Sequence, residues 1–244
     1  MRVATDIGGT FTDVVTLDAS GIHGWKVLST PSHPDLAVCE VITDLPRILS
    51  FSHGTTVATN AVLERKGARI ALVTTEGFRD LLYIARQTRP RLYDFDCHRP
   101  VPLVPRSRCF EIRERIGPDG AVILPLRPDD LHALVTHILE TRVEAVAVCL
   151  LFSYKNPSHE ILIQQALERH GIPVSRSSEI IPEFREYERA STTTINAAVQ
   201  PVVRDYLEKI RQALHSAGGP VDYDVMKSAG GLPCSWEKRC TNPI

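Results

Sequence analysis

The strongest constraint on the fold lies at the amino terminus, in the string Asp6-Ile7-Gly8-Gly9-Thr10-Phe11-Thr12-Asp13. Apolar and β-branched residues at positions 2–7 and 11–17 predict two strands, with Gly8-Gly9-Thr10 as the turn between them. Two consecutive glycines let backbone N–H groups approach an anion without obstruction by side chains. We therefore expect the chain to begin with a β-hairpin whose turn presents exposed amides.

The residue types in this string favour phosphate and metal binding. Asp6 ends the first predicted strand and can hold Mg²⁺ directly or through water, because Mg²⁺ prefers one or two carboxylates together with substrate phosphates. Asp13 supplies a second carboxylate or orients a threonine. A plain hairpin with Gly-Gly at its tip is the alternative. We take Asp6 and Asp13 as candidate catalytic residues, with Asp6 as the candidate metal ligand. The candidate phosphate contacts are Gly8, Gly9, Thr10 and Thr12.

A second motif runs from Ser52 to Gly67. Thr55 and Thr56 lie at a predicted strand-to-helix turn, where N–H groups and hydroxyls suit an anion or a carbonyl. Asn60 follows one helical turn after Thr56, on the same side. Thr56 is alternatively a plain helix N-cap. We expect Thr55, Thr56 and Asn60 to face the substrate. The neighbouring His53 is either a base or an interior histidine with satisfied hydrogen bonds.

Composition excludes several classes of protein. The 28 Lys and Arg residues nearly balance the 29 Asp and Glu residues, whereas proteins that wrap nucleic acid show a basic excess. No signal peptide follows Met1, and no run reaches the roughly 18 apolar residues of a membrane helix. We therefore expect a cytoplasmic protein without nucleic-acid or membrane partners. The six cysteines are scattered, which predicts neither a zinc site nor disulfides.

The rest of the chain alternates between helical and strand patterns, which indicates a layered α/β fold. The predicted helices cover residues 34–49, with Pro46 as a break, 57–66, 129–140, 158–170 and 187–217, with Pro201 as a break. The predicted strands after the hairpin cover residues 25–29, 48–53, 69–74, 109–115, 121–124, 143–151, 172–176 and 222–227. The strands at 109–115 and 121–124 flank Gly117-Pro118-Asp119-Gly120, which predicts a second hairpin.

The amino-terminal string resembles the phosphate-binding hairpin of the actin, hexokinase and Hsp70 superfamily, whose fold is ribonuclease H-like. Its form with phenylalanine followed by Thr-Asp is similar to the hydantoinase/5-oxoprolinase family, which includes acetone and acetophenone carboxylase subunits. The segment 52–67 resembles the same family almost residue by residue. Further similar segments cover residues 74–80, 111–116, 145–154, 182–189 and 225–232, so the likeness extends over residues 1–232.

This resemblance implies an α/β, ribonuclease H-like (actin-like ATPase) domain with an additional α/β segment. We expect the core at residues 1–85, an inserted segment at 86–180, a helical return with the last core strand at 181–232, and an irregular tail at 233–244. The resemblance also implies ATP and Mg²⁺ as cofactors. The implied activity is hydrolysis of a cyclic amide, such as a hydantoin or 5-oxoproline, after O-phosphorylation of its carbonyl. An ATP-dependent ketone carboxylase subunit and a truncated, non-catalytic fragment are the alternatives.

The family pattern includes a second acid-Gly-Gly-Thr string, and none follows residue 13 in this chain. We therefore expect the chain to be incomplete relative to the family, and to need a second subunit or a missing carboxyl-terminal half for ATP turnover. Whether the chain is an enzyme by itself stays open. The charged run 183–189 is either a solvated helix start or brings Glu186 or Arg189 near substrate. Asn196 is expected to bond backbone or substrate.

Overall fold

The structure, a computed structural model, describes residues 1–30, 33–88, 91–94, 96, 100–218 and 221–226. The chain divides into two compact units, the first formed by residues 1–66 together with the chain from residue 202, and the second by residues 67–201. These limits differ from the expected domain limits at residues 85 and 180, because the strand Ile70–Thr75 pairs inside the second unit. The predicted tail at 233–244 lies outside the described residues.

The element bounds follow the predictions within a few residues at most positions. The strands are β1 (Arg2–Ile7), β2 (Phe11–Asp18), β3 (Gly21–Leu28), β4 (Ser50–Thr55), β5 (Ile70–Thr75), β6 (Cys109–Ile112), β7 (Arg115–Ile116), β8 (Val122–Leu124), β9 (Ala145–Cys149), β10 (Val174–Arg176) and β11 (Asp222–Val225). The helices are α1 (Pro34–Asp44), α2 (Val57–Leu63), α3 (Leu81–Ile84), α4 (Pro128–Glu140), α5 (Ser158–Glu168), α6 (Ser177–Ile180) and α7 (Glu186–Ser216).

The first unit is built on a mixed sheet in the order β11-β4-β1-β2-β3. The strands β1, β2 and β3 form the predicted antiparallel meander, while β4 pairs parallel to β1, and β11 parallel to β4. This arrangement, with α1 and α2 flanking β4 in sequence, confirms the α/β, ribonuclease H-like prediction. The central strand β1 therefore ends between the glycine turn and the segment that enters α2.

Side chains alternate between the two faces of this sheet. Val3, Ile7 and Val14 lie on the inner face, where each is 3% exposed or less. The inner face also holds Phe51, whose ring lies 5.8 Å from that of Tyr223. The outer face carries exposed apolar side chains, namely Phe11, Val15, Leu17, Ile22 and Leu28. It also carries the charged residues that make up the candidate site.

The second unit contains a parallel sheet in the order β10-β9-β5-β6. Every residue of β5 and of β9 is buried, because apolar clusters cover both faces of these strands. One cluster includes Leu134 and Ile138 of α4 with Ile163 of α5. The other includes three alanines of α7, which are Ala190, Ala197 and Ala198.

The predicted hairpin of residues 109–115 and 121–124 is only partly correct. Its first part, β6, pairs parallel to β5 in the large sheet, since Cys109 and Ile112 are buried there. Only β7 pairs with β8, and the Gly117 N–H donates to the Ala121 carbonyl at 2.8 Å across the turn. Local turn chemistry predicted the turn but not the competing partner strand. The short helices α3 and α6, of four residues each, were also not predicted.

Pro201 does not break the last helix, contrary to the prediction. Helix α7 is continuous from Glu186 to Ser216 with Pro201 inside it. A proline removes one N–H donor and disturbs the preceding turn, which leaves carbonyls in need of other donors. Ala198, in that preceding turn, accepts the amide N–H of Ala68 at 2.8 Å. The carbonyl that loses its helical donor to Pro201 is that of Ala197, so the bond at Ala198 anchors the same turn to the segment before β5 rather than replacing the lost bond.

No helix in the described parts of the chain combines the length and the apolar character needed to cross a membrane.

Candidate functional site

Three charged side chains lie side by side on the outer face of the first unit's sheet. Asp6 is the register partner of Asp13 across β1 and β2, and Asp13 is the partner of Lys26 across β2 and β3. Directly opposed residues share a face of the sheet, so we call Asp6, Asp13 and Lys26 the charged row. The Lys26 Nζ lies 2.8 Å from the Asp13 Oδ1, with the two side chains 63% and 52% exposed. The row is therefore open to a ligand.

A glycine on the neighbouring strand makes room for the Asp6 carboxylate. Gly54 of β4 is the parallel register partner of Asp6 and is itself buried. A Cβ at Gly54 would lie 2.6 Å from the Asp6 Oδ1, a contact that real Cβ atoms essentially never make, and 3.2 Å from its Cγ, which is tighter than most real contacts. The position of the Asp6 carboxylate thus depends on the missing side chain at residue 54.

The turn between β1 and β2 uses its two glycines differently. The Gly8 N–H donates to the Phe11 carbonyl at 3.0 Å, and a Cβ at Gly8 would come within 3.0 Å of that same oxygen. At Gly9 a Cβ would meet nothing within 4 Å, and φ is not in the left-handed region. The fold itself therefore does not require glycine at position 9. A ligand that approaches the exposed backbone closely would require glycine at this position, because any side chain would stand in its way.

Thr10 and Thr12 take different positions around this turn. Thr10 is exposed, and its carbonyl accepts the Ser29 N–H at 2.9 Å. Thr12 is buried on the inner face, where its Oγ1 lies 2.9 Å from the Ser29 Oγ. The structure therefore does not bring the Thr12 hydroxyl to the charged row, and its role as a phosphate contact stays a prediction. Through Ser29, both threonines tie the end of β3 to the turn.

The predicted substrate-side residues meet the carboxyl end of β1. The Thr56 Oγ1 donates to the Ile7 carbonyl at 3.3 Å and accepts from the Asn60 Nδ2 at 3.4 Å. Thr56 occupies the N-cap position of α2 without a side-chain cap, while the Thr55 Oγ1 accepts the Val57 N–H at 3.2 Å. The alternative of Thr56 as a plain N-cap is therefore not supported. Thr56 and Asn60 are exposed next to the turn, whereas Thr55 is half-buried.

His53 is an interior histidine rather than an exposed base. Its Nδ1 lies 2.7 Å from the Thr5 Oγ1, and its Nε2 lies 2.7 Å from the Tyr206 hydroxyl on α7. Burial lowers the pKa of His53 to about 4, so the ring is neutral near pH 7. Burial likewise raises the pKa of Tyr206. Both ring nitrogens are satisfied, which supports the structural alternative for this residue.

In the second unit, Arg189 is fully buried rather than part of a solvated helix start. It donates to the Leu150 carbonyl at 3.2 Å, to Ser177 at 2.5 Å and to Glu186 at 2.6 Å, and it also donates to Ser153. These contacts hold the loop after β9 against α6 and α7. Arg189 therefore stabilises the end of the parallel sheet of this unit.

Two further buried acids were missed by sequence reasoning. Glu160 accepts the N–H groups of Leu150 at 3.0 Å and Ser178 at 2.9 Å. Glu114 accepts from Thr75 and lies 2.7 Å from the His159 Nδ1. Both acids look like ordinary helix and strand polar positions in the sequence, because their partners are distant along the chain.

One signal in α7 could have revealed part of this arrangement. Polar residues recur at spacings of four, three and four along one helical face, at Arg189, Thr193, Asn196 and Gln200, and all four are buried. The Asn196 Nδ2 donates to the Ser175 Oγ at 2.8 Å, so it bonds a side chain rather than the predicted backbone or substrate.

The charged row offers the donors that Mg²⁺ prefers. Asp6 presents an exposed carboxylate at a strand end, and Mg²⁺ binds oxygen ligands while keeping several waters or phosphate oxygens. Within the described ranges, no three His, Cys, Asp or Glu side chains converge as an all-protein metal site. The residues present therefore fit Mg²⁺ that arrives with a phosphate ligand, held by Asp6.

Comparison with known proteins places the chain in a family. A family model described as the hydantoinase/oxoprolinase N-terminal region matches residues 2–171, and one described as hydantoinase/oxoprolinase matches residues 189–241. An uncharacterized protein of Methanocaldococcus jannaschii is 39% identical over 95% of the chain. The caprolactamase alpha subunit of Pseudomonas jessenii is 34% identical over 95% of the chain.

The fold comparison agrees. The nucleotide-free structure of acetone carboxylase, from work on ATP-dependent acetone carboxylation, superposes with a TM-score of 0.82 at 28% identity and covers 97% of the chain. The chain spans 36% of the length of each of the two sequence relatives and 37% of that structure. The match of the first family model to most of the chain is decisive, and the chain belongs to the hydantoinase/oxoprolinase family.

Proposed function

We propose that this chain supplies the first half of the ATP site of an ATP-dependent hydrolase that acts on cyclic amides. The observation that carries the proposal is the pairing of the Asp6 carboxylate, in the space left by Gly54, with an exposed turn in which Gly9 is not required by the fold. A strand-end carboxylate beside open backbone amides suits a metal-bound phosphate. The similarity to a caprolactamase subunit and to acetone carboxylase, which carries out ATP-dependent acetone carboxylation, supports the same direction.

Each residue then has a proposed task. Asp6 holds Mg²⁺, while the amides of Gly9 and Thr10 contact the phosphates and the Gly8 N–H, which donates to the Phe11 carbonyl, fixes the turn. Thr56 and Asn60 orient the substrate carbonyl, since both are exposed beside the turn and linked to the Ile7 carbonyl. Thr55 and Thr12 support the turn from the inner face. Bound ATP would supply the phosphoryl group, and the residues contribute position and charge.

The cyclic amide is favoured because an amide carbonyl resists hydrolysis until its oxygen carries a good leaving group. O-phosphorylation by ATP would give an activated imidate carbon and ADP. Water adds to that carbon, the C–N bond breaks with the nitrogen leaving as an amine, and a second water converts the resulting acyl phosphate to carboxylate and inorganic phosphate. A hydantoin, 5-oxoproline or a simple lactam all present this group. The similarity to acetone carboxylase favours a second candidate, a ketone carboxylase subunit that phosphorylates an enolate or bicarbonate through the same turn. Either activity would require a second subunit or further chain for the other half of the site.

A titration of the full chain tests this proposal. Isothermal calorimetry with ATP in the presence of Mg²⁺ should show saturable binding that EDTA abolishes, and Asp6→Asn should weaken it at least about tenfold. If neither the chain nor the chain with its partner subunit binds Mg-ATP, the alternative of a non-catalytic fragment replaces the proposal. Once the partner is present, ATP consumption driven by 5-oxoproline or caprolactam, and not by acetone with bicarbonate, would separate the hydrolase from the carboxylase.

A further inference from the structure

We infer that Lys26 is a phosphate-binding residue of this site, held in position by Asp13; the inference rests on the proposed function. Lys26 lies on β3, away from both sequence motifs, so the sequence pattern alone did not indicate it. The register of the sheet brings it into the charged row with Asp13 and Asp6. Its Nζ lies 2.8 Å from the Asp13 Oδ1 on an open face of the sheet.

The end of β3 is fixed to the glycine turn. Leu28, two residues after Lys26, pairs with Phe11, the first residue of β2. The next residue, Ser29, donates its N–H to the Thr10 carbonyl at 2.9 Å and bonds Thr12 through its hydroxyl. Lys26 and the turn amides are therefore parts of one hydrogen-bonded segment. The turn and the ammonium group therefore lie at the same end of the sheet.

Charge balance gives Lys26 and Asp13 distinct tasks. Two carboxylates next to each other would repel a polyphosphate, and a cation beside Asp13 offsets one of them. A lysine ammonium carries three N–H donors, and the Asp13 contact uses one. Asp13 then orients Lys26 rather than binding metal, and Asp6 is left as the carboxylate for Mg²⁺. Two donors of Lys26 point away from Asp13 and can meet phosphate oxygens.

A surface ion pair that only stabilises the hairpin is the competing explanation. Exposed pairs of this kind contribute little to stability, and removal of such a pair would leave ligand binding unchanged. The first unit contains a matched pair for comparison. Lys66 is 76% exposed and its Nζ lies 2.6 Å from the Glu64 Oε2. The pair lies at the end of the second motif, after α2, rather than in the charged row.

The experiment compares Lys26→Met, Lys26→Arg and Lys66→Met in the full chain. Calorimetric titrations would use Mg-ATP and, separately, inorganic triphosphate with Mg²⁺, and thermal unfolding would verify that each variant is folded. We expect Lys26→Met to weaken binding of both ligands at least about tenfold, the size of one lost charge-assisted hydrogen bond. Lys26→Arg should keep affinity within about threefold because a guanidinium also makes charge-assisted hydrogen bonds to phosphate oxygens. Lys66→Met should match the unsubstituted chain.

The outcomes separate the two proposals. If the unsubstituted chain binds Mg-ATP and Lys26→Met binds equally well, the assignment of Lys26 is overturned while the proposed function stands. A loss in Lys26→Arg as large as that in Lys26→Met would also overturn it, since a retained positive charge should suffice. If the unsubstituted chain binds neither ligand even at millimolar concentration, alone or with its partner subunit, the proposed function fails for this chain and the role of Lys26 fails with it.

Discussion

Gly54 offers a direct way to disturb the Asp6 carboxylate without disturbing the core. In Gly54→Ala the new Cβ would lie 2.6 Å from the Asp6 Oδ1, and ordinary contact requires at least 3.4 Å, so the carboxylate must move by 0.8 Å or rotate away. Mg²⁺ ligation tolerates only about 0.2 Å of error in a ligand distance. We therefore expect Gly54→Ala to weaken Mg-ATP binding at least about tenfold, which corresponds to ~1.4 kcal/mol.

The same substitution should leave the fold largely intact. The clash involves the far end of a side chain that can rotate into solvent, and replacement of glycine inside a strand by alanine gains roughly 0.5–1 kcal/mol in backbone entropy. Gly24 provides the matched control, because it lies on the same face of the same sheet and a Cβ there would have its nearest contact at 3.7 Å. Gly24→Ala should bind Mg-ATP like the unsubstituted chain.

Calorimetric titration with Mg-ATP and urea unfolding would be performed on both alanine variants. The expected pattern is a loss of affinity in Gly54→Ala alone, with free energies of unfolding that agree within about 1 kcal/mol. Equal affinity in the two variants would show that the position of the Asp6 carboxylate does not matter for binding. That result would refute the reasoning that connects Gly54 to the metal site.

Further predictions concern buried groups in both units. Burial lowers the pKa of His53 to about 4 in the folded chain, below the value near 6.5 in the unfolded chain, so its contribution to stability should be present above pH 6.5 and lost as the pH falls towards 4. In urea unfolding, the free energy of unfolding of His53→Gln should therefore decline less steeply as the pH falls. An identical decline in the two chains would contradict the assignment. Arg189→Met should lower the free energy of unfolding by about 3–5 kcal/mol, because Glu186 and the Leu150 carbonyl lose a buried cation. Arg204 is exposed on the same helix, so Arg204→Met should change the free energy of chemical unfolding by no more than about 0.5 kcal/mol. Burial raises the pKa of Cys149 to about 12 and that of Cys109 to about 11. Iodoacetamide at pH 8 should therefore label these thiols only after the chain unfolds, which mass spectrometry would detect. Rapid labelling of the folded chain would show instead that the thiols are accessible.

Local chemistry predicted the amino-terminal hairpin well. The bounds of β1 and β2 follow from two apolar runs and a Gly-Gly turn, all of which lie within 18 residues of the chain. The same locality explains the partial failure at residues 109–115. Turn chemistry at Gly117 favours a hairpin, but the identity of the strand that pairs with β6 depends on β5, more than thirty residues earlier. Hydrophobic periodicity and turn residues do not show which distant strand will be the pairing partner.

In the candidate site, too, the residues within short sequence strings were predictable, and those that depend on distant partners were not. The acid, the glycines and the threonines were predictable because their chemistry is concentrated in two short strings. Lys26 was not, because only the register of β2 with β3 shows that it opposes Asp13. Arg189 was left open, since a charged run at a helix start is usually solvated, and burial of this arginine depends on carbonyl and serine partners 12 to 39 residues away.

In the β1–β2 hairpin, side chains alternate between the packed face and the exposed face of the sheet, and this affects what happens to misfolded molecules. A slip of one residue between β1 and β2 would turn Asp13 towards the packed interior and bring Val14 out into water, so misalignment of the charges and loss of apolar burial would occur together. A slip of one residue therefore cannot keep the interior and at the same time offer a scrambled set of charges. Quality control by proteolysis of poorly packed molecules would remove defective copies without any test of whether they bind a ligand.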